Sequence, residues 1–159
     1  MRLRKVLIAS ALLLMLCVAG GMLFLNSLGI FSSTPVYSTN QGAIRGYDTV
    51  AYFELGAARR GDRAISHEWN GADWYFSSQA HRALFIANPE KYAPQFGGYC
   101  AYAVSQNYTA NSDPQVWEIV DQKLYLNFDA DVAEQWRADQ SERIAAAQQN
   151  WPKILRARQ

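Results

Sequence analysis

Hydrophobic and polar positions follow two different regimes along the chain. From Val6 to Leu25 the sequence carries no charge and is interrupted only by Ser10 and the Gly20-Gly21 pair. Twenty helical residues rise about 30 Å, the thickness of a bilayer's hydrocarbon core, so this run predicts one N-terminal transmembrane helix. Beyond it the apolar residues come in short periodic segments. Residues 31–43, rich in Ser, Thr, Asn and Gly with Pro35, read as a linker. Tyr47 to Phe53 is a short apolar run closed by the loop from Gly56 to Asp62. Ile65 to Phe76 alternates on both sides of Asn70-Gly71, the preferred two-residue hairpin turn. That register sets Trp69 opposite Ala72, His67 opposite Trp74 and Ile65 opposite Phe76, with Ser66, Glu68, Asp73 and Tyr75 on the other face.

Ser77 or Ser78 caps a predicted helix over 79–87, which Asn88-Pro89 ends, and Glu90 to Ala93 adds one more turn. Gly97-Gly98 permits a tight turn before Tyr99-Cys100-Ala101-Tyr102. A second hairpin is expected at Trp117 to Leu126, turning at Asp121-Gln122 and sharing an apolar face of Trp117, Ile119, Leu124 and Leu126. From Asp129 to about Gln149 the spacing of Val132, Trp136, Ile144, Ala147 and Trp151 predicts one helix, with Gln140 as a polar gap in its stripe. The sum is an α+β fold: a small domain of short antiparallel hairpins packed with helices over 44–159, preceded by a linker at 31–43 and by the tip and signal-anchor of 1–30.

Charge orients this arrangement. Three of the 15 basic residues, Arg2, Arg4 and Lys5, precede the apolar run, and 12 basic against 14 acidic residues follow Phe31. The basic flank stays cytoplasmic, which makes this a single-pass inner-membrane protein with its C-terminal domain in the periplasm or another extracytoplasmic space. A cleavable signal peptide ending near Ser27 and Gly29 is the competing reading. Cys17 is not a lipoprotein cysteine, because Leu14-Met15-Leu16 offers no small residue before it. No block of five like charges exists, which argues against a nucleic-acid partner. The 50% hydrophobic and 13% aromatic content excludes disorder as the main state. Nucleotide-binding, zinc-protease and serine-hydrolase signatures are absent. Cys100 is the one cysteine beyond the apolar run, so no disulfide forms within the outer domain.

The stretch from Gly46 to Ala101 resembles a YHS domain. Three blocks carry the resemblance: Gly46-Tyr47-Asp48-Thr49-Val50-Ala51-Tyr52-Phe53, Trp74-Tyr75-Phe76-Ser77-Ser78, and Phe85-Ile86-Ala87-Asn88-Pro89-Glu90-Lys91-Tyr92. Gly97-Gly98-Tyr99-Cys100-Ala101 and the following helix are similar to the longer, exported bacterial form of that family. The resemblance implies a heavy-metal-binding module of the kind found beside copper-transporting ATPases. Family cysteines fall on Ala51, Ser77 and His81 here, and a common family proline falls on Thr49.

His67, His81 and Cys100 are the strong ligand side chains outside the apolar run. A thiolate with imidazoles is a good donor set for copper or another soft transition metal. Asp48, Tyr47, Tyr99 and Tyr102 are candidates for a further ligand or for lining the site. The expected function is metal sequestration or hand-off, with the membrane and a metal-transport or envelope protein as partners. Two alternatives remain open. One is a module that binds protein or small ligands through an aromatic surface of Tyr99, Tyr102 and Tyr108. The other, less favoured, is an enzyme whose Cys100 thiol is activated by His67 or His81. Each residue also has an ordinary structural reading: His67 stacked on Trp74, His81 exposed on a first helical turn, Cys100 a small buried hydrophobe.

Overall fold

The computed structural model describes residues 35–157. The apolar run from Val6 to Leu25, expected as a transmembrane helix, lies outside the described residues, and among those described no helix is long and apolar enough to cross a membrane. The described chain is α+β. In order it forms β1 (Ser38–Thr39), β2 (Gly42–Ala43), α1 (Ala51–Glu54), β3 (Asp62–Trp69), β4 (Ala72–Phe76), α2 (Gln79–Ala87), α3 (Pro89–Tyr92), α4 (Ala101–Ser105), β5 (Asp113–Val120), β6 (Lys123–Asn127), α5 (Ala130–Ala138) and α6 (Gln140–Arg156). The strands pair as three antiparallel hairpins, β1-β2, β3-β4 and β5-β6.

Both predicted hairpins turn where expected. Asn70 and Gly71 both have positive φ, as do Asp121 and Gln122, which is the backbone of the two-residue turn that matches strand twist. Trp69 pairs with Ala72 and His67 with Trp74, but Ile65 does not pair with Phe76. A bulge shifts the register, and Asp62 takes that place. Asp62 Oδ1 accepts the amide of Ala64, folding the chain locally where a ladder bond would run. Tyr75, on the face read as polar, is buried, and its ring packs beside Gly42. β1-β2 thus covers the second face of the hairpin. Residues 35–43, expected as spacer, join the fold, with Val36 and Tyr37 both buried.

The helices follow their caps. Ser78 accepts the amide of His81 and starts α2, Asn88 accepts that of Lys91 and starts α3, and Asp129 accepts that of Val132 and starts α5. The long C-terminal helix is two helices, not one, because Asp139 leaves helical geometry just before the polar Gln140. The break lets Trp136 of α5 and Ala147 of α6 enter one cluster. α6 also runs past Gln149, through Pro152, to Arg156.

Two apolar clusters share β6. Leu124 and Leu126 join Trp74, Phe76, Phe85 and Tyr52 in the first. Tyr125, pointing oppositely by strand alternation, joins Phe96, Tyr99 and Trp136 in the second. Two left-handed turns lock the clusters at close range. Ile44, Arg45 and Gly46 have φ of 41°, 58° and 76°; Phe96, Gly97 and Gly98 have 55°, 62° and 83°. A Cβ on Gly97 would lie 1.8 Å from the Pro35 carbonyl oxygen, and one on Gly98 would lie 2.5 Å from Ile44 Cγ2.

Gly56 has the same φ as Gly97, 62°, with no atom within 4 Å of the corresponding Cβ position. Gly56→Ala should therefore cost only the left-handed penalty, about 1–2 kcal/mol. Gly97→Ala adds a backbone collision and should cost at least about 3 kcal/mol. Urea unfolding of the two variants checks this, and equal losses would contradict the close approach of Gly97 to Pro35.

Candidate functional site

Asp48 is fully buried, and the surrounding backbone is folded around its charge. Its amide donates to the Arg59 carbonyl at 2.8 Å, fixing the start of α1 against the loop that leads into β3. Oδ1 accepts the Val50 amide at 3.0 Å. Oδ2 accepts three groups: the Ser77 amide at 2.8 Å, the Ser77 hydroxyl at 2.6 Å and His81 Nδ1 at 2.6 Å. A carboxylate can only accept, so Nδ1 carries the proton that faces Asp48, and Nε2 is the ring nitrogen not engaged by the carboxylate. Ser77 ends β4 and His81 sits in the first turn of α2, so the carboxylate staples strand, helix and α1 together. The His81 side chain is 12% exposed. The ring is thus held at Nδ1 and keeps a small exposed fraction.

The chemistry of this cluster is that of an oriented imidazole. Ser77 Oγ lies 3.4 Å from Nδ1, the nitrogen already engaged by Asp48, and gives its own proton to Asp48. A serine nucleophile would need its hydroxyl on the nitrogen away from the carboxylate, so the trio is not a catalytic triad despite its composition.

The other predicted residues lie in different settings. His67 is partly buried on β3 opposite Trp74, its ring 6.3 Å from that of Phe85. Phe85 is four residues after His81 on α2, so His67 meets the same helix one turn further on. Cys100 is 1% exposed, and its thiol donates to Asn127 Oδ1 at 3.7 Å. Burial pushes its pKa above the ordinary thiol value, which keeps it protonated and unreactive near neutrality. Among the described residues, no group of three or more His, Cys, Asp or Glu is arranged to hold a metal ion. His67, His81 and Cys100 are not gathered into a ready-made site.

The tyrosines are engaged in packing. Tyr47 lies under the Arg60 guanidinium at 4.8 Å and Tyr102 under that of Arg143 at 4.4 Å. Tyr99 is wedged between Tyr37 and Trp151, with ring centroids 5.6 and 6.0 Å away. Tyr108 is exposed. The residue that sequence reasoning undervalued is Asp48, given only as an additional ligand. Its place beside His81, 33 positions away, shows in no local spacing. The available signal was an acid inside an otherwise apolar block, which must find donors if it is buried. Comparison with family models, curated proteins and solved structures found no match for this chain.

Cys100 offers a direct check of this geometry. In a Cys17→Ser background, iodoacetamide should fail to label the native protein at pH 7–8 and should label it fully once unfolded. Because the native pKa is raised, the labelling rate should begin to climb only above the pH at which a free thiol titrates. Rapid native labelling at pH 7 would show that the thiol is exposed and ionised.

Proposed function

We propose that this domain is a non-catalytic binding module that accepts a soft transition metal of the copper type as cargo, through Nε2 of His81. The observation that carries the reading is the 2.6 Å contact between His81 Nδ1 and the buried Asp48 carboxylate. Metal-binding histidines characteristically donate their second ring nitrogen to a carboxylate, which fixes the tautomer, aims the ring and raises the basicity of the coordinating nitrogen. An open donor set suits transfer better than storage, because a metal enclosed by a full shell of protein donors leaves slowly. His67, which packs on Phe85 of the same helix, is the candidate for a second donor on this chain, and a metal-transport or envelope protein would supply the rest. Cys100 takes no part in this scheme, since coordination would require the thiol to leave its burial and its bond to Asn127. The uncharged run Val6 to Leu25 with its basic flank supports the placement that goes with this role, an inner-membrane anchor holding the domain on the extracytoplasmic side.

The test is Cu(I) titration of the full chain in detergent, in the Cys17→Ser background, against a chromophoric competing chelator. His81→Ala should abolish competitive binding. Asp48→Asn should weaken it about 10- to 100-fold, as loss of an orienting partner does. Cys100→Ser should leave it unchanged, with circular dichroism confirming that each variant is folded. Undiminished binding by folded His81→Ala would eliminate His81 as the donor, and loss in Cys100→Ser alone would transfer the role to the thiol.

A further inference from the structure

The surface opens into a cleft of about 380 Å³ where residues of the two apolar clusters line one space. Trp69 and Trp74 come from the β3-β4 hairpin and the first cluster, Phe96 and Trp151 from the second cluster. The left-handed turn that sets Phe96 supplies one wall. Gln148, Trp151 and Leu155, spaced along one face of α6, supply another. None of Asp48, Ser77 and His81 lines this space, so it is independent of the metal reading.

The charge of the lining is one-sided. Glu90, in the first turn of α3, is its one ionisable residue, and the remaining polar lining is neutral amide from Asn70, Gln95 and Gln148. Glu90 is exposed and makes no ion pair or hydrogen bond through its side chain among the described residues. An unpaired carboxylate in a wall of aromatic rings, with no lysine or arginine among the described lining residues, favours a weakly hydrated cation. The ring quadrupole attracts such a cation over its face, and the carboxylate adds net charge. A quaternary ammonium fits that description. It has no N–H to satisfy and its methyl groups make apolar contact with the rings, whereas a primary ammonium would exchange strong hydration for the few acceptors of Glu90, Asn70, Gln95 and Gln148.

We propose that this cleft binds a small organic cation of the quaternary-ammonium class, such as a choline-type trimethylammonium group, between Trp69 and Trp151 with Glu90 as counter-ion. Such a group exists both as a free solute and as a phospholipid headgroup. The shared chemistry defines the site, and the source is separated by experiment.

Intrinsic tryptophan fluorescence of the full chain, in a non-ionic detergent without choline, should respond saturably to tetramethylammonium and choline chloride at constant ionic strength, and not to sodium chloride. Ethanolamine should bind at least about ten-fold more weakly than choline. Glu90→Gln and Trp151→Leu should each weaken choline binding about two- to five-fold, the scale of one solvent-exposed cation–π or ionic contact. Glu90 is exposed, so its variant will fold even if Trp151→Leu does not. Saturable binding of free choline points to a solute. A saturable response to a short-chain, monomeric phosphatidylcholine alone, with the same Glu90 dependence, points to a headgroup. No saturable response to either, or a Glu90→Gln variant that binds as wild type, overturns the proposal. An equal response to the matching short-chain phosphatidylglycerol also overturns it and assigns the cleft to acyl chains instead.

Discussion

A carboxylate removed entirely from water costs several kcal/mol unless the protein rebuilds its solvation. Asp48 is such a group, and the domain meets the cost with two backbone amides, a hydroxyl and an imidazole N–H. Hydrogen bonds to an ionised acceptor are about twice as strong as neutral ones, so four of them can compensate the burial. They can do so only if the start of α1, the end of β4 and the first turn of α2 converge on one point. The positions of these three elements follow from that requirement. So does the presentation of His81, whose ring cannot turn away without leaving a buried charge short of a donor. Thr49, beside Asp48 and equally buried, extends the same knot by donating its hydroxyl to the Tyr92 carbonyl at the end of α3.

The rest of the core hangs on β6. A strand that buries one face can belong to a simple two-layer packing, but Leu124, Tyr125, Leu126 and Asn127 are all buried, so both faces are covered. The two aromatic clusters are therefore joined through one backbone. Asn127 uses its side-chain carbonyl to accept the Tyr102 amide and the Cys100 thiol, which anchors the start of α4 to the same strand. This arrangement accounts for the burial of the cysteine and for the raised pKa of its thiol. Its position is set by packing on β6, and its hydrogen bond supports a helix start rather than lowering a pKa.

Local chemistry was legible and long-range convergence was not. Asn70-Gly71, Ser78, Asn88-Pro89 and Asp129 each carry a turn or cap whose mechanism acts within four residues, and each appears where the pattern placed it. The Ile65–Phe76 pairing failed because a bulge depends on how Asp62 and Gly61 approach the neighbouring strand, where a Cβ on Gly61 would lie 2.4 Å from the Tyr75 carbonyl. Reading Gln140 as a gap in one helix missed that a polar residue in an apolar stripe also marks where the helix can stop. The spacer reading of 35–43 failed for a related reason. Val36 and Tyr37 lack periodic neighbours, yet burial needs only a surface to cover: Val36 joins the cluster of Trp74 and Phe76, and Tyr37 packs on Tyr99. At the site, His81 was found as a residue type, while its partner was invisible because 33 positions separate Asp48 from it.

Strain gives the last link between fold and surface. Phe96 at positive φ costs on the order of 1 kcal/mol or more, and the turn persists because neighbours over-determine it. Tyr37 donates its amide to the Gly97 carbonyl at 2.8 Å, and Ile44 fills the space a Cβ on Gly98 would need. The turn sets the Phe96 ring against Tyr125 on one side and Trp151 on the other, with centroids 5.9 and 6.2 Å away. The Phe96 wall of the neighbouring cleft is therefore set by the backbone turn and by rings packed on both sides of it. Rigid aromatic walls lose little entropy on meeting a ligand, which is the condition under which weak cation–aromatic contacts yield measurable affinity. The same rigidity separates the two surfaces of the domain. One holds a single imidazole aimed by a buried anion, the other a cluster of rings beside an unpaired one.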